Sequence, residues 1–400
     1  MIMQTRNLTY LIAALLLLTG CRKKFSEVPV VEVQIATVYP DNFQKREAGH
    51  VELTITNKNT GEEFKTVSNE NGKVKVPGMI FGNYIIQAYK MVSEEEAEEL
   101  TGAAISFAVN GTKIVTFKSG MGEIEIAVNG TRSQDLLFKE IYYTGSRTPA
   151  NGAYFSDQFY EIYNNTDRVV YADSLCIANT GGNAGQTPTA RTWGFRDDEN
   201  YVYLQNVWMI PGSGTDHPIQ PGESIIIAQD GIDHQTDPLG NPNSPVNLGL
   251  GIANWESFVP RADNRDLDAD VPNLEPIYLG SVGFDWLTGV FGPAMVIFKH
   301  PDVSNLPLFT EPGNTSTAQY MQLPVEYVLD AVDCLANESA ISFKRIPNAL
   351  DAGFNYCSGT YVGESLRRKV ARVENGRRIL QDLNNSSIDF ENAKTPVVRW

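Results

Sequence analysis

Short runs in which apolar and polar residues alternate, each closed by a turn signal, constrain this 400-residue chain most. Val31-Glu32-Val33-Gln34-Ile35, Val51-Glu52-Leu53-Thr54-Ile55 and Val74-Lys75-Val76 alternate with period two, the pattern of a strand with one face inward and one in water. Thr60-Gly61 and Asn71-Gly72 stand between such runs, where a tight turn needs residues that tolerate positive φ. Glycine (33), tyrosine (17) and phenylalanine (18) are plentiful and long helical periodicity is scarce. An all-β protein rich in turns is predicted. One helix is expected over 93–100, where Ser93 and Glu96 form a capping-box pair, acids fill the first turn and Gly102 follows. Its glutamate run is the solvated start of a helix before it is a metal site.

The first twenty residues bear on location. Arg6 is a positive start, Tyr10–Leu18 an apolar core, and Leu18-Thr19-Gly20 leads to Cys21. A bilayer span needs roughly 20 apolar residues, so this run is a secretory signal. A cysteine directly after Leu-Thr-Gly makes it a lipoprotein signal, with residues 1–20 removed and lipid attached to Cys21. The box resembles that of bacterial lipoproteins, which implies a diacylglyceryl thioether and an amide-linked fatty chain. Several acyl chains hold a protein to a membrane far more firmly than one. Residues 21–30 form a polar tether whose Arg22-Lys23-Lys24 can lie against anionic headgroups, at about 1 kcal/mol per charge near the surface. The formal charge of −16 repels phosphates, so no nucleic-acid partner is expected.

Residues 31–130 read as one small β-sandwich. Its Thr60-Gly61 and Asn71-Gly72 turns and its Phe81-Gly82-Asn83-Tyr84 corner resemble the transthyretin-like, carboxypeptidase-regulatory-like modules of exported proteins. Gly82 permits the sharp bend, and Tyr84 is expected to lay its ring on the core with a wet hydroxyl. A polar stretch at 129–135 marks a boundary. Beyond it come Glu140-Ile141-Tyr142-Tyr143 and Phe159-Tyr160-Glu161-Ile162-Tyr163-Asn164-Asn165. Near the end come Ser365-Leu366-Arg367-Arg368-Lys369 and Asp382-Leu383-Asn384-Asn385-Ser386-Ser387-Ile388-Asp389-Phe390. These two ends resemble the opening and closing strands of lamin-tail-like domains. That implies an immunoglobulin-like β-sandwich over 136–400, interrupted by a long loop-rich insertion at about 181–340. Glu161, between aromatics, is expected to be structural.

Lipobox and both modules together resemble a family of Bacteroidetes outer-membrane lipoproteins. Genes of that family often neighbour TonB-dependent transporters, which implies such a transporter as partner. An acidic cluster after the cysteine would point to the outer leaflet; only Glu27 is present, and both leaflets stay open.

The insertion holds the chain's individuality. Pro221-Gly222-Glu223-Ser224 turns into Ile225-Ile226-Ile227-Ala228, a strand buried on both faces if central. Irregular stretches follow at 229–271 and 300–320, and loops this long are functional or disordered. Trp193, Trp208, Trp255 and Trp286 all fall here. They are either aromatics packing loops onto a sandwich or rigid anchors of a ligand-binding surface. Asp263, Asp266, Asp268 and Asp270 form the densest carboxylate cluster, a candidate calcium loop without the EF-hand pattern, or else a solvated acidic loop. His217 and His234 flank the Ile225 strand and could converge on a metal, although two isolated surface histidines are much the commoner explanation. Cys176 lies in an apolar run as a buried thiol. Cys334 and Cys357 are candidates for a disulfide, which geometry decides. Asp173-Ser174-Leu175 fits a short O-glycan attachment pattern, blocked if Ser174 enters a buried strand.

No Gly-x-Ser-x-Gly, His-Glu-x-x-His, Walker loop or Cys-x-x-Cys occurs. The expectation is a non-catalytic outer-membrane lipoprotein without cofactor, an accessory that captures ligand for, or docks on, a TonB-dependent transporter. A structural or adhesive surface protein is one alternative, and a hydrolase using carboxylates of the 263–270 loop is another.

Overall fold

The computed structural model describes residues 29–39, 43–101, 107–131, 135–187, 189–262, 266–281, 283, 285–286 and 288–400. Strands make up 41% of the chain and helices 6%, so the protein is mostly β, built from sandwich-like layers. Cys21 and the predicted signal lie outside the described residues, as does Asp263.

Two sheets face each other in the N-terminal body. A three-stranded sheet runs Lys73–Ile80, Val30–Val38, Ile124–Ala127, and a five-stranded one runs Glu63–Val67, Glu52–Asn57, Gly82–Val92, Phe107–Phe117, Asn129–Thr131. The alternation sets the register. Leu53 and Ile55 turn inward against Val33, Ile35 and Ile86, while Glu52 faces solvent. Gly72 shows why its turn requires glycine: φ is +71°, and a Cβ there would lie 2.4 Å from the Thr37 carbonyl oxygen.

Two local expectations change. The Tyr84 ring does stack on Phe117, 4.1 Å between centroids, but its hydroxyl is buried. It accepts from Asn57 Nδ2 at 3.1 Å and donates to the Ile80 carbonyl at 3.0 Å. The helix Glu94–Thr101 keeps only half of its capping box. Ser93 Oγ accepts from Glu96 N at 3.2 Å, whereas the Glu96 carboxylate turns away to Lys90 and Tyr39. A half-buried ammonium with a phenol beside it is the stronger partner.

Beyond residue 135 a six-stranded sheet runs Trp255–Glu256, Ser224–Ala228, Phe159–Asn164, Leu136–Tyr142, Ser365–Arg368, Phe390–Lys394. The two ends of this region are thus neighbours, with Leu366 opposite Ile141. A seven-stranded sheet covers it: Leu308–Thr310, Gln319–Pro324, Tyr201–Met209, Cys176–Thr180, Ala294–Phe298, Val328–Asp333, with Glu275–Leu279 also on Tyr201–Met209. The stretch 181–340 is loop-rich and also supplies most of this second sheet. Phe138, Tyr160, Ile162 and Ile227 meet Ile177, Trp208, Ile297 and Val332 between the layers. The strand Ser224–Ala228 is buried on both faces, Ile225 and Ile227 toward that core, Ile226 and Ala228 toward Val246 and Leu248. Glu161 is structural: its buried carboxylate takes Lys139 Nζ at 2.8 Å and Arg399 N at 3.1 Å.

Candidate functional site

The strand Ser224–Ala228 ends in Gln229-Asp230-Gly231, and around this end the chain gathers its acids. The backbone there is fixed. Gln229 N donates to the Gln158 carbonyl at 3.0 Å and Asp230 N to the Ser156 carbonyl at 3.3 Å. Asp266 and Asp285 arrive from the loops that follow the Trp255–Glu256 and Glu275–Leu279 strands. One oxygen from each of Asp230, Asp266 and Asp285 lies within 4.8 Å of the others, and all three side chains are buried.

Each of these acids has one anchored oxygen. Asp266 Oδ2 accepts from Val259 N at 2.7 Å, Asp285 Oδ2 accepts from Gln229 Nε2 at 2.7 Å, and Asp230 is bonded by the Ser156 side chain. Each also has one oxygen with no partner: Oδ1 of Asp230, Asp266 and Asp285 are buried and unbonded, and so is Oε1 of Gln229. A fourth buried acid stands beside them, Glu256, which takes Gly231 N and Ala269 N, both at 2.7 Å. Among the described residues no ion pair with lysine, arginine or histidine reaches the three aspartates.

Electrostatics follow from that inventory. Burial, first of all, pushes Asp266 up to about 6, Asp285 and Glu256 up to about 7, and Asp230 well above its ordinary range. The mutual repulsion of the acids adds to it. An all-oxygen, anionic, dry cluster is the donor set of a hard cation.

The region 220–397 matches a family model described as Protein of unknown function (DUF4876). A solved structure of a DUF4876 family protein from Bacteroides thetaiotaomicron is 32% identical. The match covers 92% of this chain and 96% of that one, with a TM-score of 0.62. The chain belongs to the DUF4876 family. Two further solved structures are similar at TM-scores too low to indicate a shared fold. A fimbrial assembly protein from Parabacteroides distasonis is 9% identical over 48% of this chain and 84% of that one, at 0.17. BcpA, the major pilin subunit of Bacillus cereus, is 11% identical over 76% of this chain and 95% of that one, at 0.19. No curated protein matches.

In this DUF4876 protein the predicted calcium loop divides. Of the described aspartates of that loop, Asp266 alone is buried; Asp268 and Asp270 are exposed, and Asp268 accepts from Asn273. Asp266 finds its companions in Asp230 and Asp285, single acids that no sequence pattern marked. The one signal was position: Gln229-Asp230 directly follows a fully buried strand.

The four tryptophans correct the expectation of an aromatic binding surface. Trp208 and Trp286 sit in the central core, 5.9 Å between centroids, and Trp286 Nε1 donates to Asn179 Oδ1 at 2.9 Å. Trp193 packs edge-on to Tyr320 at 4.9 Å, and Trp255 to His217 at 5.1 Å. All four are buried, Trp208 and Trp255 on strands and Trp193 and Trp286 on loops that fold over the sheets. A surface cleft of about 490 Å³ is instead lined by Lys139, Ile225, Asn254, Arg399 and Trp400.

Cys334 and Cys357 are both free and buried in the apolar core, as is Cys176; the candidate disulfide is not formed. Cys357 Sγ lies 3.8 Å from the Glu364 carbonyl oxygen instead. His217 and His234 do not converge on a metal. His234 spends both ring nitrogens, Nδ1 on Tyr154 Oη at 2.8 Å and Nε2 on the Asp230 carbonyl at 3.0 Å. Ser174 stands exposed on a turn, while Asp173 is buried and takes three backbone N–H groups, among them Asp216 N and His217 N at 2.9 Å.

Proposed function

We propose that this chain is a non-catalytic, lipid-anchored outer-membrane protein that docks on a TonB-dependent transporter through its second sandwich. Leu18-Thr19-Gly20-Cys21 supports the anchor. On this reading residues 31–130 are a carboxypeptidase-regulatory-like spacer, and 136–400 a lamin-tail-like body that meets the partner.

The observation that carries the docking role is an unprotected sheet edge. The strand Leu308–Thr310 ends the seven-stranded sheet and has a strand partner on one side only among the described residues. It exposes Leu308 and Phe309, at 39% and 42%. Exposed edges with apolar side chains invite a second chain unless they serve one. The absence of catalysis is supported by the main acid cluster, whose carboxylates face one another in the interior instead of flanking a cleft, as a glycosidase pair must.

Tagged protein purified from detergent-solubilised membranes tests this. A TonB-dependent transporter is expected to co-elute, and Leu308→Glu with Phe309→Glu to abolish its recovery. Elution of the lipoprotein free of any transporter, or recovery unchanged in the double variant, overturns the proposal.

A further inference from the structure

We propose that Asp230, Asp266 and Asp285 bind one calcium ion through their three unpartnered Oδ1 atoms, with Oε1 of Gln229 as a fourth ligand. Buried carboxylates are ordinarily paired, hydrogen-bonded throughout or bound to metal. Here each of the three is half satisfied, with one bare oxygen, and one carboxylate oxygen of each lies within 4.8 Å of the others. Gln229 is an independent witness. It is neutral, it is 1% exposed, and its amide is held at the cluster by its bond to Asp285, yet its carbonyl oxygen has no donor. An amide oxygen without a donor beside three carboxylates is what a cation needs and what a purely hydrogen-bonded cluster avoids.

Size and donor type choose the ion. Two oxygens on opposite sides of calcium, at roughly 2.3–2.6 Å each, stand about 5 Å apart; on magnesium the limit is about 4.2 Å. The three oxygens lie within 4.8 Å of one another, inside the reach of calcium, and a buried all-protein set of three carboxylates suits calcium better than magnesium, which keeps several waters. An all-oxygen set without histidine or thiolate does not favour zinc. Calcium commonly takes about six to eight oxygens, so water or backbone carbonyls complete its shell. Glu256, whose oxygens are bonded to Gly231 N and Ala269 N, is a positioning residue. It anchors the loop that delivers Asp266 to the strand end that delivers Asp230. One ion thereby pins three separate segments together at the end of a central strand.

The test is calorimetric titration of the full protein, extracted in detergent and stripped with chelator, with calcium and then magnesium, together with thermal unfolding. One equivalent of calcium is expected, bound at least tenfold tighter than magnesium. At a hundredfold excess over Kd the unfolding midpoint is expected to rise by roughly 5 °C. Asp285→Asn and Asp266→Asn each remove one charge from a repelling cluster. They are expected to fold at least as well without metal, and to lose calcium binding and the midpoint rise. Asp268→Asn is expected to keep both. Absence of calcium binding in the wild type, magnesium binding as tightly as calcium, or binding that survives Asp266→Asn while Asp268→Asn abolishes it, would each overturn the proposal.

Discussion

Replacing Arg368 by methionine is expected to cost the second sandwich roughly 3–5 kcal/mol, the usual penalty for removing one partner of a buried ion pair. Arg368 is almost fully buried, and its guanidinium is used from every side. Nε donates to the Phe138 carbonyl at 2.7 Å and Nη1 to the Gln381 carbonyl at 3.0 Å. Nη2 pairs with Asp330, Nη1 lies 3.4 Å from Asp382 and 3.9 Å from Asp389, and Phe390 covers its face at 4.4 Å. Three acids from two parts of the chain therefore lean on one cation, and Asp330 joins Phe138 of one sheet to its own strand in the other. The methionine variant leaves all three acids without their cation, whereas Asp330→Asn leaves the guanidinium two carboxylates. The arginine substitution should then cost at least about 1 kcal/mol more than the aspartate one. Urea titration and calorimetry of both variants measure this; at roughly 2–4 °C per kcal/mol, Arg368→Met should melt about 6–20 °C lower. A loss below about 1 kcal/mol, or Asp330→Asn costing more than Arg368→Met, would refute the view that this arginine holds the layers together.

Two further outcomes are expected. His234 is buried and neutral, its pKa pushed down to about 4 by burial, so the unfolded chain takes up a proton first as pH falls. Stability should be unaffected by this ring above about 6.5 and fall by about 3 kcal/mol between there and about 4; His234→Gln should flatten that slope in urea titrations run across the range, and equal slopes in both proteins would sink the assignment. Trp286→Ala should cost roughly 3–5 kcal/mol and Trp286→Phe roughly 1–3, since the latter loses only the bond to Asn179 and some contact; if chemical denaturation finds the alanine variant as stable as the parent, Trp286 is not a core residue.

The strands of the N-terminal body were legible because each has one wet face. Glu52 and Thr54 alternate with Leu53 and Ile55, and the alternation states both the strand and its inward side. The second sheet of the larger body gave no such signal. Ala294–Phe298 is buried on both faces, so Met295-Val296-Ile297-Phe298 is a plain apolar run. Its partner Cys176–Thr180 lies more than a hundred residues earlier. Periodicity vanishes where no face meets water, and pairing over that distance leaves no local mark. The tryptophans failed as binding anchors for a related reason: Trp208 and Trp255 lie on strands, and the segments bearing Trp193 and Trp286 fold back over the sheets, so each ring is enclosed in a core instead of standing on a surface.

The two acid centres of the second body bear on each other. Around Arg368, Asp330 and Asp382 are satisfied and Asp389 keeps a single bare oxygen, because the chain supplies its own cation. Asp333 repeats the arrangement with Arg345, whose Nε and Nη2 both reach Oδ1, at 3.1 and 2.7 Å, with the Ile346 amide on Oδ2 at 3.0 Å. At both places a buried arginine stands among the buried acids. At Asp230, Asp266 and Asp285 the same number of acids as around Arg368 meets with no ion pair among the described residues and a bare oxygen on each. On top of burial, repulsion among them raises their pKa values, and it is relieved either by protons or by a cation from solution. Density of aspartates along the sequence marks Asp268 and Asp270, which stand exposed to solvent. Isolation in sequence with convergence in space marks Asp230 and Asp285, whose unmet oxygens define where an external cation belongs.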